Sequence, residues 1–439
     1  MDWVFSLAIV VGVLLAGLIS GLPVAFTFIG ISVAGLYLVL GPGALSLIAA
    51  GAFDSVGLFV FIPLPLFVLM GEILMRSGIA SLTVDAADKW IGRVPARLSV
   101  STVAGGTIFA TLSGSSMAAV AVFGSMMLPQ MERKGYQPDM SLGAIFAAGG
   151  LAVLIPPSAL AVLLGALAKV SISKLLIAIV IPGLLLALVY IVYFVVRAIL
   201  QPHLAPVDES IAAATWRERL ATLWLLLPLG LIIMVVTGFI FFGIATASEA
   251  AALGALTAAV LAAAHRRLNW PIVRESLMAT VATSSMVLLI IAGSTAYSQL
   301  LATTGASAKL VTLVSGLDIH PVLLVVGMQA VLFVLGCFID GVSIMLITLP
   351  IFMPVVQALG LDPIWICVLF MIQLELGGIT PPFGLLLFVL RGIRPDISTL
   401  VIYRAVVPVV AMQIGVAALI MIFPEIALWL PKLMTPPSP

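Results

Sequence analysis

The amino-acid sequence predicts an all-α, polytopic membrane protein built from two inverted-topology repeats. Three observations support this fold class. They are the hydropathy of the chain, the positions of its basic residues, and a set of Pro and Gly residues that recurs at a fixed spacing. No long polar stretch separates the apolar segments, so residues 1–439 are expected to form a single integral membrane unit.

The composition indicates a chain whose outer surface faces lipid. Of its 439 residues, 63% are hydrophobic and only 8% are charged, whereas about a quarter of the residues of a soluble domain are charged. Apolar runs long enough to cross a hydrocarbon core of about 30 Å recur along the chain. Examples are residues 4–20, 22–40, 175–196, 220–242 and 400–423. A net charge of +1 excludes a nucleic-acid partner on electrostatic grounds.

Basic residues predict how the chain crosses the bilayer. They concentrate in segments 76–97, 133–134, 197–219, 265–274 and 391–404. The positive-inside rule places these segments in the cytoplasm. The apolar stretch 98–129 has basic residues at both ends, so it is predicted to be a re-entrant hairpin that enters and leaves on the same side.

Counting the crossings predicts an inverted duplication. The first repeat, 1–200, has about five transmembrane helices plus the hairpin, and the charged segment 201–219 is a cytoplasmic connection. The second repeat, 220–425, has the same count with a hairpin around 321–353, and a short Pro-rich tail follows at 426–439. Because five crossings is an odd number, the second repeat is expected to enter the membrane upside down.

The duplication is visible as a constant spacing of 225 positions. Pro129, Gly135, Pro138, Pro156 and Pro157 recur as Pro354, Gly360, Pro363, Pro381 and Pro382. The backbone roles of Pro and Gly are hard to replace, so five coincidences indicate two copies of one unit. Inverted repeats with broken helices are typical of secondary transporters, whose sites lie where the repeats meet.

Each repeat has a Pro-Pro pair inside an apolar segment. Proline offers no N–H to the carbonyl four residues earlier. The first pair is therefore expected to free the carbonyls of Ala152 and Val153, and the second those of Gly377 and Gly378. Free carbonyls that face a cavity are good ligands for a cation such as sodium. A plain kink packed against neighbouring helices is the alternative interpretation.

Each hairpin has a polar middle that predicts a non-helical tip. The sequence is Ser-Gly-Ser-Ser at 113–116 and Asp-Gly-Val-Ser at 340–343. Hydroxyl oxygens and helix ends at such tips suit a polar solute. The candidate substrate contacts are Gly114, Ser115, Gly341 and Ser343. Small residues also allow helices to pack closely, which is the structural alternative for these positions.

Four carboxylates lie in or near apolar segments. Asp340 is the strongest functional candidate because an unpaired charge in a membrane is costly, and sodium coordination, proton relay and a salt bridge all remain open for it. Glu249 starts a helix, so it is expected to cap the N-terminal amides or to anchor neighbouring helices. Glu72 has the same two interpretations. Glu375 precedes the second set of freed carbonyls by two residues, so it is a candidate for tuning that site.

Several functional classes lack support in the sequence. There is no GxxxxGK[ST] phosphate loop, no HExxH or CxxC motif, and no nucleophile–base arrangement. The sequence therefore predicts neither an enzyme nor a bound cofactor. Transport would have to be driven by an ion gradient, by a partner subunit or by the gradient of the solute itself.

Five motifs in the same order resemble the large membrane subunit of TRAP (tripartite ATP-independent periplasmic) transporters. They are LSGSS at 112–116, PxM followed by GY at 129–136, LIPPS at 154–158, TASEAA at 246–251 and GGITPPFG at 377–384. The resemblance covers nearly the whole chain. It implies a multi-pass protein of the bacterial inner membrane that works with a separate small four-helix membrane subunit and a periplasmic solute-binding protein.

The resemblance also implies a mechanism and a set of ligands. The expected cargo is a small organic acid, such as a C4-dicarboxylate, sialic acid or a sugar acid, imported with sodium. The expected mechanism is an elevator in which a transport domain slides against a scaffold. The implied sodium ligands are Ser113, Ser116, Ala152, Ile155 and Pro157 for one site, and Asp340, Gly377 and Thr380 for the other. Ala152 departs from the Gly usual in the family, but a backbone carbonyl survives that change.

The alternatives are a stand-alone ion-coupled carboxylate symporter that needs no binding protein, and, less favoured, a channel. Saturable sodium-dependent uptake would separate a transporter from a channel. Dependence on a binding protein would separate the TRAP arrangement from the stand-alone symporter.

Overall fold

The computed structural model describes residues 3–80, 91–92, 94–206, 227–228, 230–316, 319–382 and 384–434. Every regular element within these ranges is helical, which confirms the all-α class. Seven helical stretches in the described part of the chain are long and apolar enough to cross a membrane. The multi-pass prediction is therefore confirmed.

The described residues of the first half contain ten α-helices. They are α1 Trp3–Ile19, α2 Val24–Leu40, α3 Ala44–Val56, α4 Pro63–Arg76, α5 Arg97–Ser113, α6 Ser116–Arg133, α7 Pro138–Gly150, α8 Ala159–Leu167, α9 Ile172–Ala178 and α10 Val180–Leu200.

The described residues of the second half contain ten more helices. They are α11 Gly230–Phe241, α12 Ala247–Ala264, α13 Trp270–Thr303, α14 Ala306–Ser315, α15 Pro321–Gly336, α16 Gly341–Ala358, α17 Pro363–Ile379, α18 Leu385–Ile393, α19 Thr399–Ile422 and α20 Glu425–Lys432. A π-helical turn, Met234–Gly238, lies inside α11.

The helix bounds repeat with the spacing of the prolines. Helices α5 and α6 form the first hairpin, and α15 and α16 form the second. Both ends of α6 recur 225 positions later as the ends of α16, and the first residues of α7 and α17 are separated by the same number. The recurrence of whole helices supports a duplicated unit. The inverted orientation of the second copy stays a prediction.

The two Pro-Pro segments interrupt the helices that contain them. Residues 151–158 separate α7 from α8, and a shorter break at 380–384 separates α17 from α18. The first break is buried along its whole length. Both Pro-Pro peptide bonds, Pro156–Pro157 and Pro381–Pro382, are cis. Each predicted long helix is therefore two shorter ones joined by irregular backbone inside the protein.

The structure also contains helices that the sequence interpretation left out, among them α3, α14 and α20. Helix α20 corrects the predicted tail at 426–439, because it packs against α9 and α10 and buries Ala427 completely. Residues 435–439 lie outside the described residues. So do residues 207–219 of the predicted connecting segment, whose first residues form a short turn, Pro202–Leu204.

Apolar side chains form two cores. The smaller core joins α1, α2, α3 and α13, and includes Leu14 and an edge-to-face contact between Phe28 and Tyr297 at 5.1 Å between ring centroids. Leu346 and Ile347 connect the second hairpin to this core. The larger core contains residues of α4 to α10 and of α12, and both broken helices. Helix α13 has 34 residues, so its length of about 50 Å exceeds a bilayer core of about 30 Å.

Charged segments that were predicted to share the cytoplasmic side meet in pairs. Arg76, at the end of α4, contacts Glu275 at 2.8 Å. Arg394, after α18, contacts Glu132 at the end of the first hairpin at 2.9 Å. Each pair places two separate basic segments at the same end of the helices, as the charge pattern predicts.

Arg394 also contacts Asp396 with two hydrogen bonds of 2.8 and 2.6 Å. These bonds hold the pKa of Asp396 below its ordinary value, and the two carboxylates raise the pKa of Arg394. Since the folded-state pKa of Asp396 is lowered, its contribution is fully present above its unfolded-state pKa of about 3.9. The contribution is lost only as the pH falls through the lowered value.

We expect Asp396→Asn to lower the melting temperature slightly, because exposed ion pairs contribute little. The decrease should be the same at every pH between about 5 and 8 and should shrink only below about pH 4. Thermal unfolding of the detergent-solubilised chain measures this. Glu425→Gln, which removes a separate exposed ion pair with Lys432, is the control. A decrease in melting temperature that varies between neutral and mildly acidic pH would contradict the lowered pKa of Asp396.

Candidate functional site

The first hairpin turns at a two-residue tip. Helix α5 ends at Ser113, and Gly114 takes the left-handed conformation with a φ of 58°. Glycine adopts this conformation without strain, so the chain can reverse within one residue. Ser115 then caps α6, because its hydroxyl oxygen accepts a hydrogen bond from the N–H of Ala118 at 3.3 Å.

This tip lies against the first Pro-Pro break. A Cβ atom on Gly114 would stand 3.6 Å from the carbonyl oxygen of Pro157, and one on Gly149 would stand 3.5 Å from that of Ser116. Both distances are ordinary van der Waals contacts, so the hairpin tip and the break pack directly against each other. The structure brings together the hairpin tip and the broken helix that the sequence placed at one site.

The first break exposes backbone oxygens to the interior of the protein. Ala152 is fully buried and Ile155 is 7% exposed. No backbone hydrogen bond among the described residues ends on the carbonyl of Ala152 or Val153, as the prolines predict. Ser158 is buried and caps α8 by accepting a hydrogen bond from the N–H of Ala161, so the helix restarts with a neutral cap.

The second break is tighter and corrects one prediction. The carbonyl of Gly377 accepts the N–H of Thr380 at 3.2 Å, so it is not without a partner. The hydroxyl of Thr380 donates to the carbonyl of Leu376 at 2.5 Å. A Cβ atom on Gly384 would lie 2.8 Å from the carbonyl oxygens of Gly378 and Thr380. Because a carbonyl oxygen carries two lone pairs, Gly377 keeps one that is free to bind a cation.

Asp340 caps the second hairpin and is exposed, which corrects the expectation of a buried charge. Its carboxylate accepts the N–H of Ser343 at 3.1 Å and also the Ser343 hydroxyl. Ser343 itself is fully buried. Neither of these hydrogen bonds of Asp340 reaches Gly377 or Thr380. The carboxylate is held at the start of α16 by ordinary N-capping.

The second tip nevertheless lies against the second break. A Cβ atom on Gly336 would stand 2.7 Å from the Cα of Gly377, and one on Gly341 would stand 3.5 Å from the side chain of Leu374. The ends of α15 and α17 thus cross at a pair of glycines. The sequence interpretation missed this crossing, although a lone glycine inside an apolar segment was the available signal.

We expect Gly336→Ala to destabilise the folded chain by about 1–3 kcal/mol, because the added methyl group meets backbone that cannot rotate away. Gly327→Ala is the matched control on the same helix, since a Cβ atom there has nothing within 4 Å. Thermal unfolding in detergent measures both. Equal melting temperatures for the two variants would show that the glycine crossing is not tight.

A hydrogen bond joins the two halves of the chain at the first tip. The hydroxyl of Ser116 donates to Oε1 of Glu375 at 2.7 Å. Glu375, on α17, is 5% exposed. The sequence made Glu375 a candidate for tuning the second site, and it could not assign this residue a partner 259 positions away. The first hairpin and the second broken helix are therefore directly connected.

The other two carboxylates have structural roles. Glu249 and Thr246 form a capping box at the start of α12, which confirms the capping interpretation. Glu72 pairs with Arg76 one turn later at 2.8 Å, so it anchors a helix end.

The two tips and breaks present backbone carbonyls, hydroxyls and the carboxylate of Asp340, which are oxygen ligands of the kind that sodium and calcium accept. Within the described residues there is no group of three or more His, Cys, Asp or Glu side chains that could hold a metal ion.

The family model described as "Tripartite ATP-independent periplasmic transporter, DctM component" matches residues 11–426. The chain belongs to the DctM family. A DctM-family chain is the permease component of a transporter, in agreement with the resemblance drawn from the five motifs.

Curated relatives of this DctM-family chain carry corresponding names. It is 31% identical to the C4-dicarboxylate TRAP transporter large permease protein DctM of Pseudomonas aeruginosa, covering 92% of this chain and 93% of that protein. It is 29% identical to the sialic acid TRAP transporter large permease protein SiaM of Vibrio cholerae, covering 95% and 96%. These similarities confirm the family and leave the solute of this chain open.

A solved structure shares the fold at low sequence identity. The YdaH transporter of Alcanivorax borkumensis superposes with a TM-score of 0.64 and 14% identity, covering 94% of this chain and 98% of that one. At this identity the similarity concerns the fold alone. It shows that this DctM-family chain shares its helix arrangement with that protein.

Proposed function

We propose that this chain is the large permease subunit of a sodium-coupled secondary transporter that imports a small organic acid by an elevator mechanism. The observation that carries the proposal is the contact of each hairpin tip with a proline-broken helix. Irregular backbone at membrane depth is tolerated only where protein or water surrounds it. In secondary transporters such breaks form the ion and substrate sites.

Sodium is assigned to the two tips as coupling ion. The first site would use Ser113, Ser116, Ala152, Ile155 and Pro157, and the second Asp340, Gly377 and Thr380. Buried carbonyls without backbone donors support the first set. The second set is supported by the glycine crossing and by the free lone pair of Gly377, although Asp340 would have to leave its cap to become a direct ligand.

The caps of the two hairpins favour an anionic solute at the first tip. Ser115 is a neutral cap, so the N-terminus of α6 keeps its partial positive charge. Asp340 offsets the corresponding charge of α16. We assign the carboxylate of the solute to Gly114 and Ser115, with Gly341 facing it. The hydroxyl of Ser343 is already used by Asp340.

The division into two apolar cores supports a scaffold and a moving part. Helices α1, α2 and α3 belong to the smaller core and α13 contributes to both cores, whereas both broken helices and the first hairpin belong to the larger one. The moving part would carry both tips across the bilayer. The proposed partners are a small four-helix membrane subunit and a periplasmic solute-binding protein, and the proposed location is the bacterial inner membrane.

Uptake into proteoliposomes tests the proposal. We expect Asp340→Ala and Thr380→Ala each to abolish sodium-dependent uptake of the bound organic acid while the chain remains folded and inserted, because each removes an oxygen of the second sodium site. A sodium gradient, the small subunit and the loaded binding protein are supplied together. The cargo is found first by thermal stabilisation of the binding protein with a panel of organic acids.

Two variants control for loss of stability. Asp362→Ala removes an equivalent N-cap from α17, at a cost of about 1 kcal/mol. Thr348→Ala removes a buried intrahelical hydroxyl bond like that of Thr380. Both should retain sodium dependence. Wild-type uptake by the Asp340 and Thr380 variants at limiting sodium would refute the site, and uptake of free solute without the binding protein would favour the stand-alone symporter.

A further inference from the structure

Glu375 has an unusual environment for a carboxylate. Oε1 accepts the hydroxyl of Ser116, whereas Oε2 is buried and has no hydrogen-bond partner in the described part of the chain. The residue is 95% inaccessible, since its relative exposure is 5%. None of the ion pairs formed by the described residues includes it. An ionised carboxylate at such a position lacks a counter-charge.

The polar groups around this position are neutral. On the same helix, the carbonyl of Ile372 accepts the amide of Gln413, and Gln413 in turn accepts the hydroxyl of Tyr190. These bonds use the polar atoms of Gln413 and Tyr190. In the described part of the chain no basic side chain pairs with Glu375, and the N-terminus of α6, which begins at Ser116, contributes only a partial positive charge. Buried charges are retained in proteins when they are paired or coordinate a metal, so a cation or a proton is the candidate counter-charge for this carboxylate.

Ser116 shows which of these the geometry favours. Ser116 lies between the two breaks. Its carbonyl oxygen approaches Gly149, just before the first break, and its hydroxyl contacts Glu375, just before the second. A serine hydroxyl that donates its proton to a carboxylate keeps both lone pairs available as an acceptor. The Ser116 oxygen is thus held in the state in which it can bind a cation.

We propose that Glu375 belongs to the cation site of the first hairpin and supplies the negative charge that a bound sodium ion balances. Oε1 orients the Ser116 hydroxyl, and Oε2 faces the cation. The inference rests on the proposed sodium coupling and extends it to a residue of the opposite half of the chain. Sodium binding at the first tip would then be sensed by α17, the helix that leads into the second break.

The test is a sodium titration of the full-length chain in detergent, followed by thermal unfolding, with choline chloride keeping the ionic strength constant. Wild-type protein should be stabilised progressively by sodium. Glu375→Gln should raise the sodium concentration for half-maximal stabilisation by about tenfold or more, because the charge of the ligands sets the affinity of oxygen sites. Without sodium the same variant should be at least as stable as wild type, since an uncompensated charge has been removed.

The opposite signs with and without sodium distinguish this role from a structural one. A structural hydrogen bond would make Glu375→Gln less stable by the same amount in sodium and in choline, which would overturn the proposal. Gln373→Leu is the matched control, because Gln373 lies on the same helix, is 7% exposed and also has a buried oxygen without a partner. It should leave the sodium titration unchanged.

A second comparison separates the failure of this inference from that of sodium coupling. If wild-type protein shows no response to sodium in unfolding or in uptake, the proposed function fails. If wild type responds and Glu375→Gln responds at the same sodium concentration, only the role of Glu375 fails, and a proton is the counter-charge. Combining Glu375→Gln with Ser116→Ala should have no larger effect than the stronger single variant, because both belong to one site.

Discussion

Within a bilayer, every backbone carbonyl and amide must find its partner inside the protein, and the rest of this structure depends on how two stretches of chain meet that requirement. Between α7 and α8, and again between α17 and α18, the regular helix is interrupted. Unpaired backbone there would be prohibitively costly against lipid. The hairpins solve the problem by covering the breaks with their own tips, through approaches that Gly149, Gly336 and Gly377 permit. The same contacts that shield the breaks from lipid therefore also bring the backbone oxygens of the breaks next to the hairpin tips.

The sequence predicts this arrangement well where the physics is local. Hydropathy finds the spans, and a proline pair fixes a point that regular helix cannot pass. The proline pair does not determine the residue at which the helix ends. In the first half α7 ends at Gly150, well before the prolines, where two successive glycines weaken the helix. In the second half Thr380 ties its hydroxyl to the last turn, and α17 continues to Ile379.

The remaining errors involve contacts between residues that are distant in sequence. Asp340 seemed costly because its neighbours in sequence are apolar, yet the folded chain exposes it at a helix start. Glu375 was expected to tune the second site beside it, yet it is the buried carboxylate that contacts the first hairpin. Burial is a property of the assembled helices, so no window of sequence could have ranked these two residues correctly. Helix α20 was overlooked for the same reason, since its packing depends on α9 and α10.

The two halves share helix bounds but not electrostatics. The first hairpin has a neutral serine cap and is hydrogen-bonded to Glu375 of the other half, whereas the second carries its own carboxylate in Asp340. A symmetric site would respond equally to an ion at either tip. If Glu375 supplies the charge of the first site, as proposed, a cation there would involve α17, whose end also forms the Gly336–Gly377 crossing beneath the second tip. Occupancy of the first site would thus affect the helix that packs against the second hairpin. Coupling in this duplicated fold would therefore run from the first site to the second.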